Sequence, residues 1–154
     1  MAERNAAMLD GWIGDDGVHR LPVRVYYEDT DAGGIVYHAN YLRFMERGRT
    51  AMLRLMGLTH RDLADTAGVS FAVRRMRIEF IAPARLDDAL EVATRIDNIG
   101  GASFAVAQSV RRDDREVASA EVKLALLGPE GRAVRFPAIL REALAKHHER
   151  QKRD

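Results

Sequence analysis

The chain contains no cysteine. That excludes disulfides, thiolate zinc sites and a cysteine nucleophile, and it fits a reducing compartment; the cytoplasm is the expected location. No apolar run approaches the roughly 18 to 20 residues that a membrane span requires, so no transmembrane segment is expected. The opening stretch, MAERNAAMLDGW, carries an early acid and no apolar core, which argues against a signal peptide. A dominant charge is also missing: 24 Lys and Arg stand against 23 Asp and Glu. A dedicated nucleic-acid binder is strongly basic, so no nucleic-acid partner is expected. Internal repeats and low-complexity segments are absent too.

What remains is a chain of 154 residues, 47% of them hydrophobic, enough to bury one core and too short for two. Residues 1–17 show scattered Gly, Asp and Asn without periodicity and read as a flexible lead-in to a single domain over 18–147, with a basic tail at 148–154. Residues 18–27 alternate as a first strand. Tyr41, Phe44, Met45, Gly48, Met52 and Leu55 then fall on one helical stripe, predicting a long helix from about 40 to 56 with Asn40 and Gly57 as caps. Gly48 inside that stripe costs about 1 kcal/mol against Ala, so a sheet is expected to approach the helix closely there. A short helix follows over 59–67.

Alternation returns at 70–81, 89–98, 102–112 and 116–127, the middle segments separated by the turn signals Asn98-Ile99-Gly100-Gly101 and Arg112-Asp113-Asp114-Arg115. Pro137 opens a last short helix. One strand, a long helix and a four-strand meander predict an α+β domain: a five-stranded antiparallel sheet curled around one central helix.

The chemistry concentrates in YEDTDAGGIVYHANY, residues 27–41. Three acids in four residues precede a glycine pair. As a calcium loop counted from Asp29 it fails, because Gly33 and Asn40 occupy ligand positions. As a phosphate loop it fails because no lysine follows the glycines. Gly101-Ala102-Ser103-Phe104-Ala105 is near a nucleophile elbow, but it opens a strand inside the meander. Neither a metal nor a cofactor is implied. Asp31, however, lies in a loop leading to the start of the long helix. Unpaired amides and partial positive charge there can polarise a carbonyl. Gly33 and Gly34 let backbone approach a ligand. A carboxylate beside such a carbonyl can attack it or activate water.

The stretch VYYEDTDAGGIVYHANYLRFMERGRT, residues 25–50, resembles the signature of hotdog-fold acyl-CoA thioesterases, in the YbgC-like branch related to 4-hydroxybenzoyl-CoA thioesterases. Asp29, Asp31, Gly34, Val36, Tyr37 and Tyr41 match its D-x-D-x-x-G-x-V-Y-x-x-x-Y pattern, and residues 80–88, FIAPARLDD, resemble the family's turn after its second strand. The resemblance implies the hotdog fold and hydrolysis of an acyl-CoA to free acid and CoA. It places the catalytic aspartate on Asp31 and the carbonyl-polarising backbone N–H at about His38, and it leaves Asp31 open as nucleophile or as general base. It also implies a homodimer or homotetramer with the site between subunits, and a link to the Tol–Pal system or to phospholipid synthesis.

Each residue has a plainer role to weigh. Asp29 reads as a structural hydrogen-bonding acid. Tyr37 and Tyr41 line the pocket or pack the core. Glu46 is a helix carboxylate that could rival Asp31 or simply sit in solvent. Arg74, Arg75, Arg77 and Arg85 could meet the phosphates of CoA or form a solvated strand face. His147 and His148 read as a frayed helix end. Rival functions are a thioesterase acting on acyl carrier protein and a non-catalytic acyl-CoA-binding module, the second having no use for Asp31.

Overall fold

The computed structural model describes residues 8–152. Strands β1 (Trp12–Ile13), β2 (His19–Arg24), β3 (Ser70–Phe80), β4 (Ala89–Ile99), β5 (Ser103–Arg112) and β6 (Arg115–Leu127) form one antiparallel sheet, in the order β1-β2-β4-β5-β6-β3. Helices α1 (His38–Leu55), α2 (His60–Ala67) and α3 (Ala138–Lys152) complete the domain. The hotdog arrangement expected from the sequence is present: the sheet wraps one long helix. No helix among the described residues is long and apolar enough to cross a membrane.

Period-two burial sets the two faces. Leu90, Val92, Thr94 and Ile96 on β4 and Phe104, Val106, Gln108 and Val110 on β5 are buried under α1, and the intervening side chains stand on the opposite face. From the helix, Phe44, Met45 and Met52 are essentially inaccessible. Each such side chain contributes on the order of 1.5–3 kcal/mol by leaving water. Gly48 lies at a close approach of helix and sheet. A Cβ there would stand 2.9 Å from Val92 Cγ1, 3.1 Å from Thr94 Oγ1 and 3.2 Å from Gln108 Nε2.

Four features depart from the sequence-based expectation. First, β3 does not pair with β4. It pairs with β6 at the far edge, and only β4, β5 and β6 form a meander. Residues 81–88 form too long a connection for a hairpin, and Val36 and Ile35 tie it down through Ala84 and Arg85. Second, Trp12 and Ile13 pair with Arg20 and His19, adding a sixth strand inside the expected lead-in, of which residues 1–7 lie outside the described residues. Two residues carry no readable periodicity.

Third, α1 starts at His38, so Asn40 lies within its first turn instead of capping it. Fourth, α3 is 15 residues long and runs through most of the expected basic tail. His147 is buried, and the Gln151 amide both accepts from Ile96 N (2.8 Å) and donates to Ile96 O (2.6 Å) beside the irregularity in β4. The short helix α2 follows the expected chemistry: Thr59 Oγ1 accepts from Asp62 N, and Gly68 closes it at φ 64°.

Candidate active site

Residues 29–37 fold as a small hairpin held by their own backbone. Asp29 O accepts from Tyr37 N (2.9 Å), Thr30 bridges Val36, and Ile35 O accepts from Asp31 N (2.9 Å). The tip closes with Gly34 N donating to Asp31 O (3.0 Å). Gly34 sits at φ 79°, a conformation that disfavours any side chain with a Cβ. Asp31 stands at the corner. Its Oδ1 accepts from Gly33 N (2.8 Å) and, at longer range, from Ile35 N (3.4 Å), while Oδ2 accepts no hydrogen bond among the described residues. One oxygen thus anchors the carboxylate and the other is left to solvent or ligand.

The two aspartates separate cleanly in role. Asp29 is 6% exposed. Its Oδ2 accepts from Tyr26 N (2.8 Å) and its Oδ1 from Asn40 Nδ2 (2.8 Å). It fastens the hairpin to the first turn of α1, so its carboxylate is spent on framework. Asp31 is exposed.

Helix α1 begins one residue after Tyr37, across the ladder from Asp29. Asp31 is therefore two residues along the ladder, roughly 7 Å, from the helix entrance. No acid lies in the first turn of α1 and its N-cap residue, Tyr37, gives no side-chain hydrogen bond. Among the described residues no acceptor takes the N–H of His38 or Ala39, while Asn40 N donates to Tyr37 O. The entrance thus presents two free amides and the positive end of an 18-residue helix.

Aromatic rings wall this corner. The His38 ring packs against Tyr37 (4.5 Å between centroids) and edge-on to Phe80 (6.1 Å). Tyr41 packs on Phe80 (5.7 Å) and is 4% exposed. Its hydroxyl accepts from Ala84 N (3.1 Å), and burial raises its pKa above the ordinary phenol value. Tyr41 is thus framework: it holds residues 81–88 against the hairpin, whereas Tyr37 and His38 are exposed beside the free amides.

Not every expected site residue gathers here. Arg75 and Arg77 pair with Lys123 and Glu121 and flank Met76. They stand on the sheet face away from α1, around a hollow of about 620 Å³ that also takes in Asp97 and Asn98. Asp31 is not among the residues around that hollow, nor does it line any of the other principal hollows of the chain. Glu46 is exposed on α1, two turns beyond the entrance. Among the described residues no three metal-ligating side chains converge.

Two polar groups escaped the sequence reading. Arg49 is buried on α1, and its Nη1 donates to Gln108 Oε1 (3.1 Å); Gln108 Nε2 donates to Met45 O and Thr94 Oγ1. The signal was available, because Gln108 and Thr94 sit at inward positions of otherwise apolar strand faces. The second is the buried pair His19 and His147.

Residues 25–144 match the family model of the thioesterase-like superfamily. The acyl-CoA thioesterase YbgC of Haemophilus influenzae is 40% identical over 134 residues, 86% of this chain and 97% of that protein. The acyl-CoA thioester hydrolase YbgC of Escherichia coli O6:H1 is 48% identical over 111 residues, 71% of this chain and 82% of its own length. Among solved structures, a probable thioesterase from Bartonella henselae superposes with a TM-score of 0.76 at 41% identity, covering 78% of this chain and 99% of that one. By sequence and by architecture, this chain belongs to the thioesterase-like superfamily.

Proposed function

We propose that this thioester hydrolase acts on an acyl-CoA, with Asp31 as the catalytic carboxylate and the amides at the entrance of α1 as the oxyanion donors. The observation that carries the reading is the pairing of an anchored, half-free carboxylate with two unclaimed N–H groups at the same end of the helix. The thioester oxygen would accept from His38 N and Ala39 N, drawing electrons from the carbonyl carbon and stabilising the negative charge that develops on attack. Asp31 Oδ2 would then either attack that carbon, giving an anhydride that water opens, or take the proton from an attacking water. CoA leaves as the thiolate and takes up the proton that Asp31 holds in the general-base route, or one from water in the anhydride route. Relatives named for acyl-CoA thioesters favour CoA as the carrier. A carrier-protein thioester would use the same chemistry.

The site needs a second copy. Asp31 lies on an open surface, and β3 is an 11-residue edge strand with no partner on its outer side among the described residues. Val73 and Phe80 along it, and Tyr37, Ile81 and Leu86 nearby, are between 41% and 52% exposed. Such an edge is covered by association in a well-behaved protein. A homo-oligomer would wall the acyl chain and carry Arg75, Arg77 and Lys123 of one copy towards the phosphates held at another.

The test is a panel of acyl-CoA and acyl-carrier-protein thioesters assayed with wild type and Asp31→Asn. Loss of one acid–base or electrostatic group lowers kcat about a hundredfold or more. Equal kcat for both proteins would remove Asp31 from the mechanism. A single turnover in ¹⁸O-water that labels the Asp31 carboxylate would establish an anhydride opened by water at the aspartyl carbon.

A further inference from the structure

The Asp31 corner is the middle of a small three-stranded patch. Asp31, Ile35 and Arg85 lie in one row across it: Asp31 N donates to Ile35 O, and Ile35 bridges Arg85. In the next row Val36 N donates to Ala84 O (2.8 Å). Residues 84 and 85 are thus the outer support of the hairpin, and the Ile35 amide that faces the Asp31 carboxylate is carried between the two. The connection 81–88 is fixed at both ends by backbone. Ile81 N and Ala82 N donate to Val117 O, Asp87 N donates to Val25 O, and Val25 N donates to Asp88 O. Its middle depends on side chains. Tyr41 Oη accepts from Ala84 N on the helix side. From the end of β5, Arg112 Nη1 donates to Pro83 O (3.0 Å) and to Asp88 Oδ2 (2.9 Å), and the same Asp88 oxygen accepts from Arg85 N (2.8 Å). The Arg112 and Asp88 side chains are only 29% and 25% exposed. Burial alone would raise the Asp88 carboxyl, but the Arg85 N–H and the Arg112 guanidinium hold it below the usual carboxylate value, so it is charged at neutral pH.

We propose that Arg112 is a positioning residue for thioester hydrolysis: through Pro83, Asp88 and Arg85 it sets the support strand on which the Asp31 carboxylate is aimed, an inference that rests on Asp31 as the catalytic group. Three observations separate it from an ordinary surface ion pair. Both of its charge-assisted bonds leave from one nitrogen, so neither partner moves without loosening the other. They converge on either side of Ala84, through Pro83 directly and through Asp88 onto Arg85, and Ala84 O is the acceptor that ties the loop to the hairpin. The amides at the entrance of α1 have supports of their own, in the contact of Asp29 with Asn40 and in the helix itself. Loosening residues 83–86 therefore tilts Asp31 and leaves His38 N and Ala39 N in place. Misplacing a reacting group by about 1 Å costs on the order of a hundredfold in rate, so the smaller shift allowed by the surviving Tyr41 contact is expected to cost about tenfold.

The experiment is a double-mutant cycle on the full-length protein: kcat and KM for the acyl-CoA that wild type turns over fastest, in wild type, Arg112→Met, Asp31→Asn and the double variant, with melting temperature and sedimentation recorded for each. Arg112→Met lowers kcat about tenfold with KM within about twofold of wild type. The same substitution made in Asp31→Asn lowers kcat by less than about twofold, because the group it aims is already gone. A purely structural role would lower kcat by the same factor in both backgrounds, and that result overturns the proposal. So does an unchanged kcat in Arg112→Met, or a loss carried by KM. Should Arg112→Met fail to fold or change its sedimentation, Asp88→Asn takes its place in the cycle: it removes the charge that Arg112 grips while its amide oxygen can still accept from Arg85 N, and the same outcomes decide. Wild-type kcat in Asp31→Asn overturns the functional reading and this proposal with it; a deep loss in Asp31→Asn beside equal factors in the two backgrounds overturns this proposal alone.

Discussion

Replacing Gly48 by alanine sets two effects of opposite sign against each other. In an exposed helix interior the change stabilises by about 1 kcal/mol, because glycine gives up more backbone freedom than alanine. Here the new methyl would meet Val92 Cγ1 at 2.9 Å, Thr94 Oγ1 at 3.1 Å and Gln108 Nε2 at 3.2 Å. None of the three yields easily. Val92 is fully buried and stiff at χ1. Gln108 is held by hydrogen bonds to Arg49, Met45 and Thr94. Overpacking costs about 1–3 kcal/mol, and a buried amide pushed off its partner costs about 1–3 kcal/mol more. The sum favours a net loss of roughly 1–5 kcal/mol once the helix gain is subtracted. Urea unfolding at fixed protein concentration measures it. With m of about 1–3 kcal/mol/M, a 2 kcal/mol loss lowers the midpoint by about 1 M. A midpoint that rises, as helix preference alone would give, would refute the close approach of α1 to the sheet.

Further outcomes follow from the same geometry. Asp29→Ala strands Tyr26 N and Asn40 Nδ2 and should cost about 2–4 kcal/mol in denaturation; Asp31→Asn should unfold near the wild-type midpoint, the pair together separating framework from chemistry. Tyr41→Phe removes the acceptor of Ala84 N and should cost about 1–3 kcal/mol, with kcat falling less than for Asp31→Asn.

Stability should drop as pH falls from about 7.5 to 5. His19 and His147 both have pKa values lowered, mainly by burial, and each has a ring nitrogen without a partner among the described residues. The unfolded chain therefore binds protons that the folded one refuses, beginning near the ordinary histidine value of about 6.5. Each histidine can contribute up to about 1.4 kcal/mol per pH unit below that value; a flat melting temperature over this range would show that neither is held neutral. Finally, Val73→Lys on the edge strand β3 should shift sedimentation towards the monomer and lower activity with it, whereas an active monomer would show that one copy suffices.

Much of this was legible from residue order alone. Strong periodicity gave the long helix, the closing signals of α2 and the five longer strands within a few residues. Gly48 in an apolar stripe correctly announced a close neighbour. The strand neighbourhood was less legible, because residues 81–88 look locally like a turn, and only their contacts with Val36 and Tyr41 show the chain crossing to the other side of the sheet. The split between Asp29 and Asp31 was half legible: two acids at close spacing could not both be reactive, but which one the helix claims depends on where Asn40 points. Arg49 and His147 were lost to convention, since a charged or basic residue on a helix is assigned to water until its surroundings are known.

The hairpin at 29–37 draws its hydrogen bonds almost wholly from itself, from Tyr26, from the opening of α1 and from Ala84. Its shape owes nothing to the walls that would measure an acyl group. Taste and tooth are thus built separately: the preferred guest can drift through substitutions along β3 or in a neighbouring copy, and the cutting corner need not be rebuilt each time.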